Sequence, residues 1–333
     1  MPGARRPAGA CAVALLGLWL AACSTNFEDP AQVIDLRLLA MRAEPPEILT
    51  PFDPDDPTAF DITEVGDIEI CSLVADPSAD RELAFRMTAC PPVGNGRCEG
   101  DNTIDLGQGM IDDPERAAEP VRMCGTLSAS GNLVAVIQES LSADDLAGFG
   151  GVRVQIEIEV TPADGEPSIT GFKRVTYGIE LPAERTPNRN PDLEGITGIR
   201  PATGQRGLDF EVPLGRCGDI EPWPVAPGER VTLLPREPNG AREVYLVPTF
   251  DGGSQTFTEN LRYQWMASDG DFSRFNSGGE RDGAGNSPPL DSSWRAPRDL
   301  ELIGDGLDVR MWIVQRDERG GQTWFESCAR VIP

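Results

Sequence analysis

Apolar and polar positions alternate along much of the chain, and the alternation comes in two similar series. In the first, DLRLLAM (35–41) and GDIEICSLVADP (66–77) are followed by LAFRM (83–87), a long irregular insertion, and VRVQIEIEVT (152–161). A turn-rich PADGEPS then leads into FKRVTYGI (172–179), which completes a hairpin. The second series runs ERVTLL (229–234), LRYQW (261–265), DVRMWIV (308–314) and, across an RDERGG turn, QTWFESCARVI (322–332). Period-two alternation bounded by Gly, Pro and Asp is the mark of half-buried strands. ERVTLL answers 66–77, LRYQW answers LAFRM and DVRMWIV answers VRVQIEI, so one strand plan is used twice. Along VRVQIEIEV, Val152, Val154, Ile156, Ile158 and Val160 share one face, and Arg153, Gln155, Glu157 and Glu159 share the other. That pattern predicts a two-layer sandwich with its outer face in water. The helical signal is confined to SADDLAG (142–148), with Ser142 as N-cap. The expected fold is all-β, with two tandem sandwich domains over 31–181 and 196–333. The Pro-rich PAERTPNRNPDLEG (182–195) reads as the linker between them.

Composition narrows the function. Thirty Pro and 36 Gly in 333 residues suit many short strands and turns. With no His, Ser-His-Asp and Cys-His catalysis and imidazole zinc sites are excluded. A formal charge of −25 repels phosphate backbones and speaks against nucleic acid. No GxSxG, GxxxxGK[ST] or GxGxxG occurs, so no nucleophile elbow, P-loop or dinucleotide fingerprint is present. The single lysine, Lys173, lies in the polar hairpin strand FKRV and reads as a surface residue. The 54 acidic residues permit a glycosidase-like carboxylate pair, but no motif points to one.

At the N-terminus, Arg5 and Arg6 precede a short apolar run, Ala12 to Leu20, ending in Leu20-Ala21-Ala22-Cys23. The run is shorter than the roughly 20 residues a spanning helix needs and suits a signal peptide. Leu20-Ala21-Ala22-Cys23 resembles the lipobox of bacterial lipoproteins. The resemblance implies a signal peptide over 1–22, cleavage before Cys23, acylation of that cysteine, and a tether over 23–30. Ser24, where the family's inner-membrane retention signal places Asp, implies the outer membrane. Six cysteines then remain, an even number in an exported chain, which reads as disulfides. Pairing Cys217 with Cys328 ties the start of the second domain to its end. Cys71, Cys90, Cys98 and Cys124 allow three connectivities; a Cys71–Cys124 or Cys90–Cys98 bridge would pin the insertion between Met87 and Gly151, and we expect the local Cys90–Cys98 loop.

In the second half, Tyr263-Gln264-Trp265, Ala267-Ser268-Asp269-Gly270-Asp271-Phe272-Ser273, Trp294-Arg295-Ala296-Pro297 and Val309 to Val314 together resemble an immunoglobulin-like or PKD-type module. The resemblance implies a spacer or binding domain. Two loop clusters offer oxygens for calcium, which takes six to eight of them: Asp53, Asp55, Asp56 and Asp61, and Asp269, Asp271 and Asp282. Neither has the EF-hand pattern, and each reads more readily as a solvated acidic loop. On DVRMWIV, Trp312 has the parity opposite to Val309, Met311 and Ile313, and Trp324 adjoins Phe325 on the next strand. Trp312 and Trp324 form either an exposed aromatic patch for a sugar or protein or packing between the domains, which we favour. The expected function is non-enzymatic binding or scaffolding of envelope or extracellular partners, protein or glycan. A calcium-dependent adhesion module is the alternative, and a carboxylate-pair glycan hydrolase stands behind both.

Overall fold

Nearly every regular element is a strand. The computed structural model describes residues 29–50, 65–76, 81–92, 97–111, 121–146, 148–201 and 208–333. The signal peptide, Cys23 and the acidic loop with Asp53, Asp55, Asp56 and Asp61 lie outside the described residues. The first half contains β1 (Arg37–Glu44), β2 (Glu47–Thr50), β3 (Ile68–Ala75), β4 (Leu83–Cys90), β5 (Ile104–Ile111), β6 (Val121–Leu127), α1 (Gly131–Ser142), β7 (Val152–Pro162) and β8 (Ile169–Ile179). The second begins with β9 (Gly195–Arg200), β10 (Leu208–Glu211), β11 (Trp223–Val225), β12 (Arg230–Arg236), β13 (Val244–Pro248) and β14 (Ser254–Thr258). It continues with β15 (Arg262–Ala267), β16 (Asp271–Phe272), β17 (Asn276–Gly278), β18 (Ser292–Arg295), α2 (Leu300–Ile303), β19 (Leu307–Arg316) and β20 (Gln322–Val331).

The first half stacks the sheet β1-β3-β6 on the sheet β2-β8-β7-β4-β5; the second stacks β10-β9-β12-β18-β16 on β11-β20-β19-β15-β17. Without β10, β16 and the separate β13–β14 hairpin, the two diagrams coincide strand for strand. In each half the short leading strand of the larger sheet, β2 or β11, runs parallel to the last strand, β8 or β20. A helix precedes the penultimate strand in both. Of the eight shared strands, the first, third and sixth lie on one sheet and the second, fourth, fifth, seventh and eighth on the other, so each half is a two-sheet sandwich.

Each sandwich has its own core. In the first, Ile68 and Ile70 of β3 and Met123 of β6 face Met87 of β4, Ile156 of β7 and Val175 of β8. In the second, Trp265 and Trp294 are fully buried on opposite sheets, with Trp223 edge-on to Trp294 at 5.8 Å. The helix α1 closes the first core with Leu133, Val136, Ile137 and Ser140, spaced on one helical face. The side-chain oxygen of its N-cap, Ser130, accepts the Leu133 N–H. This corrects the helix expected over 142–148. Ser142 is the last residue of α1 and donates to the Gln138 carbonyl, because the apolar spacing from Leu133 to Ile137 starts the helix a turn after Leu127.

Three disulfides form: Cys71–Cys124, Cys90–Cys98 and Cys217–Cys328. The first joins directly opposed residues of β3 and β6. The third closes a separation of 111 residues, which the chain-entropy model values at roughly 4–5 kcal/mol. The second changes the face expected to be in water. Gln155 and Glu157 are buried because the Cys90–Cys98 loop covers them: the Cys98 N–H donates to Glu157 Oε2, and Arg97 pairs with Glu157 at 3.0 Å.

The two sandwiches meet along a third apolar cluster. Leu39 and Ala40 of β1 and Leu73 and Ala75 of β3 pack with Val33 against Met266, Trp312 and Val314 of β15 and β19. The Ala267 N–H donates to Ala31 O at 2.8 Å and the Val33 N–H to Ala267 O at 2.9 Å. Trp312 and Trp324 do not make an exposed aromatic patch, since Trp312 is 3% exposed. It does face away from Met311, as parity requires, but that side is covered by the first half. Trp324 is partly buried against the same cluster, with the Arg122 guanidinium 5.9 Å from its ring centroid. Residues 31–333 accordingly form one compact unit.

Candidate functional site

Beside the apolar cluster, the seam carries a buried network of charges. Glu47 at the start of β2 is its hub. Its Oε1 accepts from Arg185 at 2.7 Å; its Oε2 accepts the Asn188 backbone N–H at 2.7 Å and Arg319 Nη2 at 2.6 Å. Arg319 Nη1 also lies 3.4 Å from Glu243 and 3.5 Å from Glu259, and its guanidinium covers the Tyr245 ring at 4.7 Å. The RDERGG turn between β19 and β20 presents Arg319: Asp317 Oδ1 accepts the N–H groups of Arg319 and Gly321, at 2.8 and 2.7 Å, and Gly320 has φ +101°, a conformation that favours glycine. Lys173 of β8 donates to the Gly320 carbonyl. The lysine expected at the surface is therefore buried, a correction that follows from its parity: it shares the core-facing side of β8 with Val175 and Tyr177 and stands opposite Ile156.

The segment expected to be a linker is the strap of this network. Asn188 is buried and its Nδ2 donates to Asp317 Oδ2 at 3.2 Å. Asn190 donates to Ala43 O and accepts the Gln322 N–H, so it bonds to both halves. Arg189 pairs with Glu243 at 2.6 Å. Removing this many charges from water has electrostatic consequences. Burial pushes Glu259 up to about 7, with the neighbouring Asp317 carboxylate adding to the effect. Burial likewise raises Asp317 and lowers Lys173 to about 8.

A cleft of about 500 Å³ opens next to the network. Arg153, Arg174 and Thr176 line it from the outer face of β7 and β8, and Leu246, Val247 and Pro248 of β13 line it from the other half. The β13–β14 hairpin crosses between the halves: Phe250 at its tip stacks on Phe149 with ring centroids 4.5 Å apart. The cleft holds cations, the carboxylates of Glu47 and Glu318, the hydroxyls of Thr176 and Tyr245 and an apolar wall. That inventory suits binding through charge and hydrogen bonds.

The remaining candidates sit elsewhere. The Asp269 carboxylate accepts the Gly270 N–H. Asp282 Oδ1 accepts the Ala284 and Asn286 N–H groups, while its Oδ2 accepts from Asn286 Nδ2, and these bonds lower its pKa. Asp271 is exposed on β16. The grouping of three metal-ligand side chains found among the described residues, Glu69 with Cys71 and Cys124, does not include them. Its two cysteines are bonded to each other.

No family model and no curated protein matches the chain. Solved structures do. A crystal structure of red sea bream transglutaminase is similar over 90% of this chain and 31% of its own, at 9% identity and a TM-score of 0.26. A biofilm-associated protein BSP domain is similar over 91% of this chain and 60% of its own, at 9% identity and a TM-score of 0.24. The chain thus spans about a third and three fifths of these two neighbours.

Sequence reasoning found the strands and cysteines but missed Glu47, Arg185, Asn188, Glu243, Glu259 and Arg319. Two signals pointed to the site: the lone lysine of the chain, and the four charges concentrated in RDERGG.

Proposed function

We propose that the protein is an outer-membrane lipoprotein, acylated at Cys23, whose body is a rigid non-enzymatic platform that binds or scaffolds an envelope or extracellular partner. The observation that supports this reading is the seam. Two sandwiches joined by a dry cluster, a bonded strap and a buried ion network hold a set relative position, which suits presenting a surface rather than closing around a reaction. Seven residues separate Cys23 from Ala31, so an acylated Cys23 keeps the body within roughly 28 Å of the lipid surface at full extension. Acyl chains contribute about 0.8 kcal/mol per buried methylene, so several of them anchor a protein stably.

The test is cross-linking and pull-down of the acylated protein from its own membrane, with mass spectrometry of what is recovered. A partner in near-stoichiometric amount, lost to the soluble fraction together with a Cys23→Ala variant, is the expected result. A protein that fractionates as soluble with Cys23 intact contradicts the anchor, and recovery of no partner or glycan contradicts the platform.

A further inference from the structure

Arg153 and Arg174 are neighbours that the fold itself does not need. The register sets Arg153 opposite Thr176 and Gln155 opposite Arg174, so the two arginines occupy diagonal positions on one sheet face, within reach of each other's long side chains. Like charges so placed repel. Both are exposed and line the cleft, and among the described residues neither makes an ion pair. The Arg174 guanidinium lies 5.9 Å from the Phe172 ring centroid. This happens in a chain with 54 acidic and 29 basic residues, where a carboxylate neighbour is easily supplied. Arg185 and Arg319 in the same cleft are by contrast neutralised by Glu47.

The rest of the lining selects among anions. Glu318 offers a carboxylate that already accepts from Tyr245 and Asn260 at 2.9 and 3.0 Å. An acceptor so close disfavours a multiply charged phosphate ligand and favours one with hydroxyl groups to donate. Thr176 adds a hydroxyl, and Leu246, Val247 and Pro248 add an apolar wall for the C–H face of a ring. We infer that the cleft binds an acidic saccharide: Arg153 and Arg174 grip the carboxylate or sulfate of one sugar residue, Glu318 and Thr176 meet its hydroxyls, and Leu246 to Pro248 cover its ring. Guanidinium forks match carboxylate and sulfate oxygens in paired hydrogen bonds. The inference rests on the reading of the protein as a binder and names the chemistry of its ligand.

Calorimetric titration of the full acylated chain in detergent tests it with three probes: an oligogalacturonate, a sulfated carrageenan oligosaccharide and neutral maltotriose. Saturable binding of at least one acidic probe is expected, with maltotriose at least tenfold weaker, and the responding probe tells uronate from sulfate. An Arg153→Gln/Arg174→Gln pair should weaken it at least tenfold while the melting temperature stays within a degree or two, and an Arg86→Gln control on the distant β4 should leave binding unchanged. Failure of both acidic probes, equal binding of maltotriose, or a double variant that binds within twofold of the parent overturns the inference. If the double variant still recovers its membrane partner after such a failure, the platform reading survives and only the saccharide site falls.

Discussion

The two flanks of the seam join the same pair of sandwiches by opposite means. On one flank Trp312, Val314 and Met266 bury against Leu39, Leu73 and Ala75, a contact without titrating groups. On the other, Glu47 collects Arg185, Asn188 and Arg319, with Glu259, Asp317 and Lys173 shifted towards their neutral forms. The apolar flank supplies stability through area removed from water. The charged flank costs desolvation and returns it only while each partner is present; what it adds is a particular alignment of the halves. A joint built from both is stable and specific in position, as neither alone would be.

The largest effect expected is from the apolar flank. Trp312→Ala removes the biggest side chain in the third cluster and should cost about 3–5 kcal/mol, read by denaturant unfolding. Next is the hub of the charged flank. Glu47→Gln removes the carboxylate that Arg185 and Arg319 share in a site only 6% exposed at Glu47, leaving Arg319 its longer contacts to Glu243 and Glu259. It should cost about 3 kcal/mol, against little change for Glu211→Gln on the exposed β10 pair with Arg236.

A third expectation concerns pH. Glu259 is held up to about 7 against an ordinary value near 4.5, so between those values the folded state binds more protons than the unfolded state. Stability should therefore fall as pH rises from about 4.5 to 7, by about 1–3 kcal/mol, with Asp317 acting in the same direction. Glu259→Gln should flatten much of that slope in urea titrations across the window; an unchanged slope would show that Glu259 does not cause it. The smallest effect belongs to Lys173. Its value is lowered to about 8, so stability should rise with pH between about 8 and 10.5 as the unfolded state retains the proton longer. Lys173→Met should remove that rise and change stability at pH 7 by only about 1 kcal/mol, since the lost bond to Gly320 is offset by removing a buried charge.

Much of the fold was legible because strands announce themselves by alternation: Val154, Ile156 and Ile158 are buried as a face, and LRYQW does occupy the position of LAFRM. The same rule fails where a second layer covers the outer face. Glu157 under the Cys90–Cys98 loop and Trp312 under β1 both point outward from their own sandwich, and both are buried. Parity tells which side a residue is on and nothing about what lies beyond it. The helix α1 was missed because its apolar face, Leu133 to Ser140, sits inside an insertion without strand landmarks. The charged flank escaped because its members come from five separate stretches, 47, 173, 185–190, 243–259 and 317–320. Residues so far apart become a site only when the fold brings them together.

The central claim is that two sandwiches with one strand plan are fused by the seam into a single cooperative body. Scanning calorimetry of the full chain measures this directly. A single transition is predicted, with calorimetric and van't Hoff enthalpies equal, splitting into two when Trp312→Ala and Glu47→Gln are combined. Two well-separated transitions in the unmodified protein would contradict the claim.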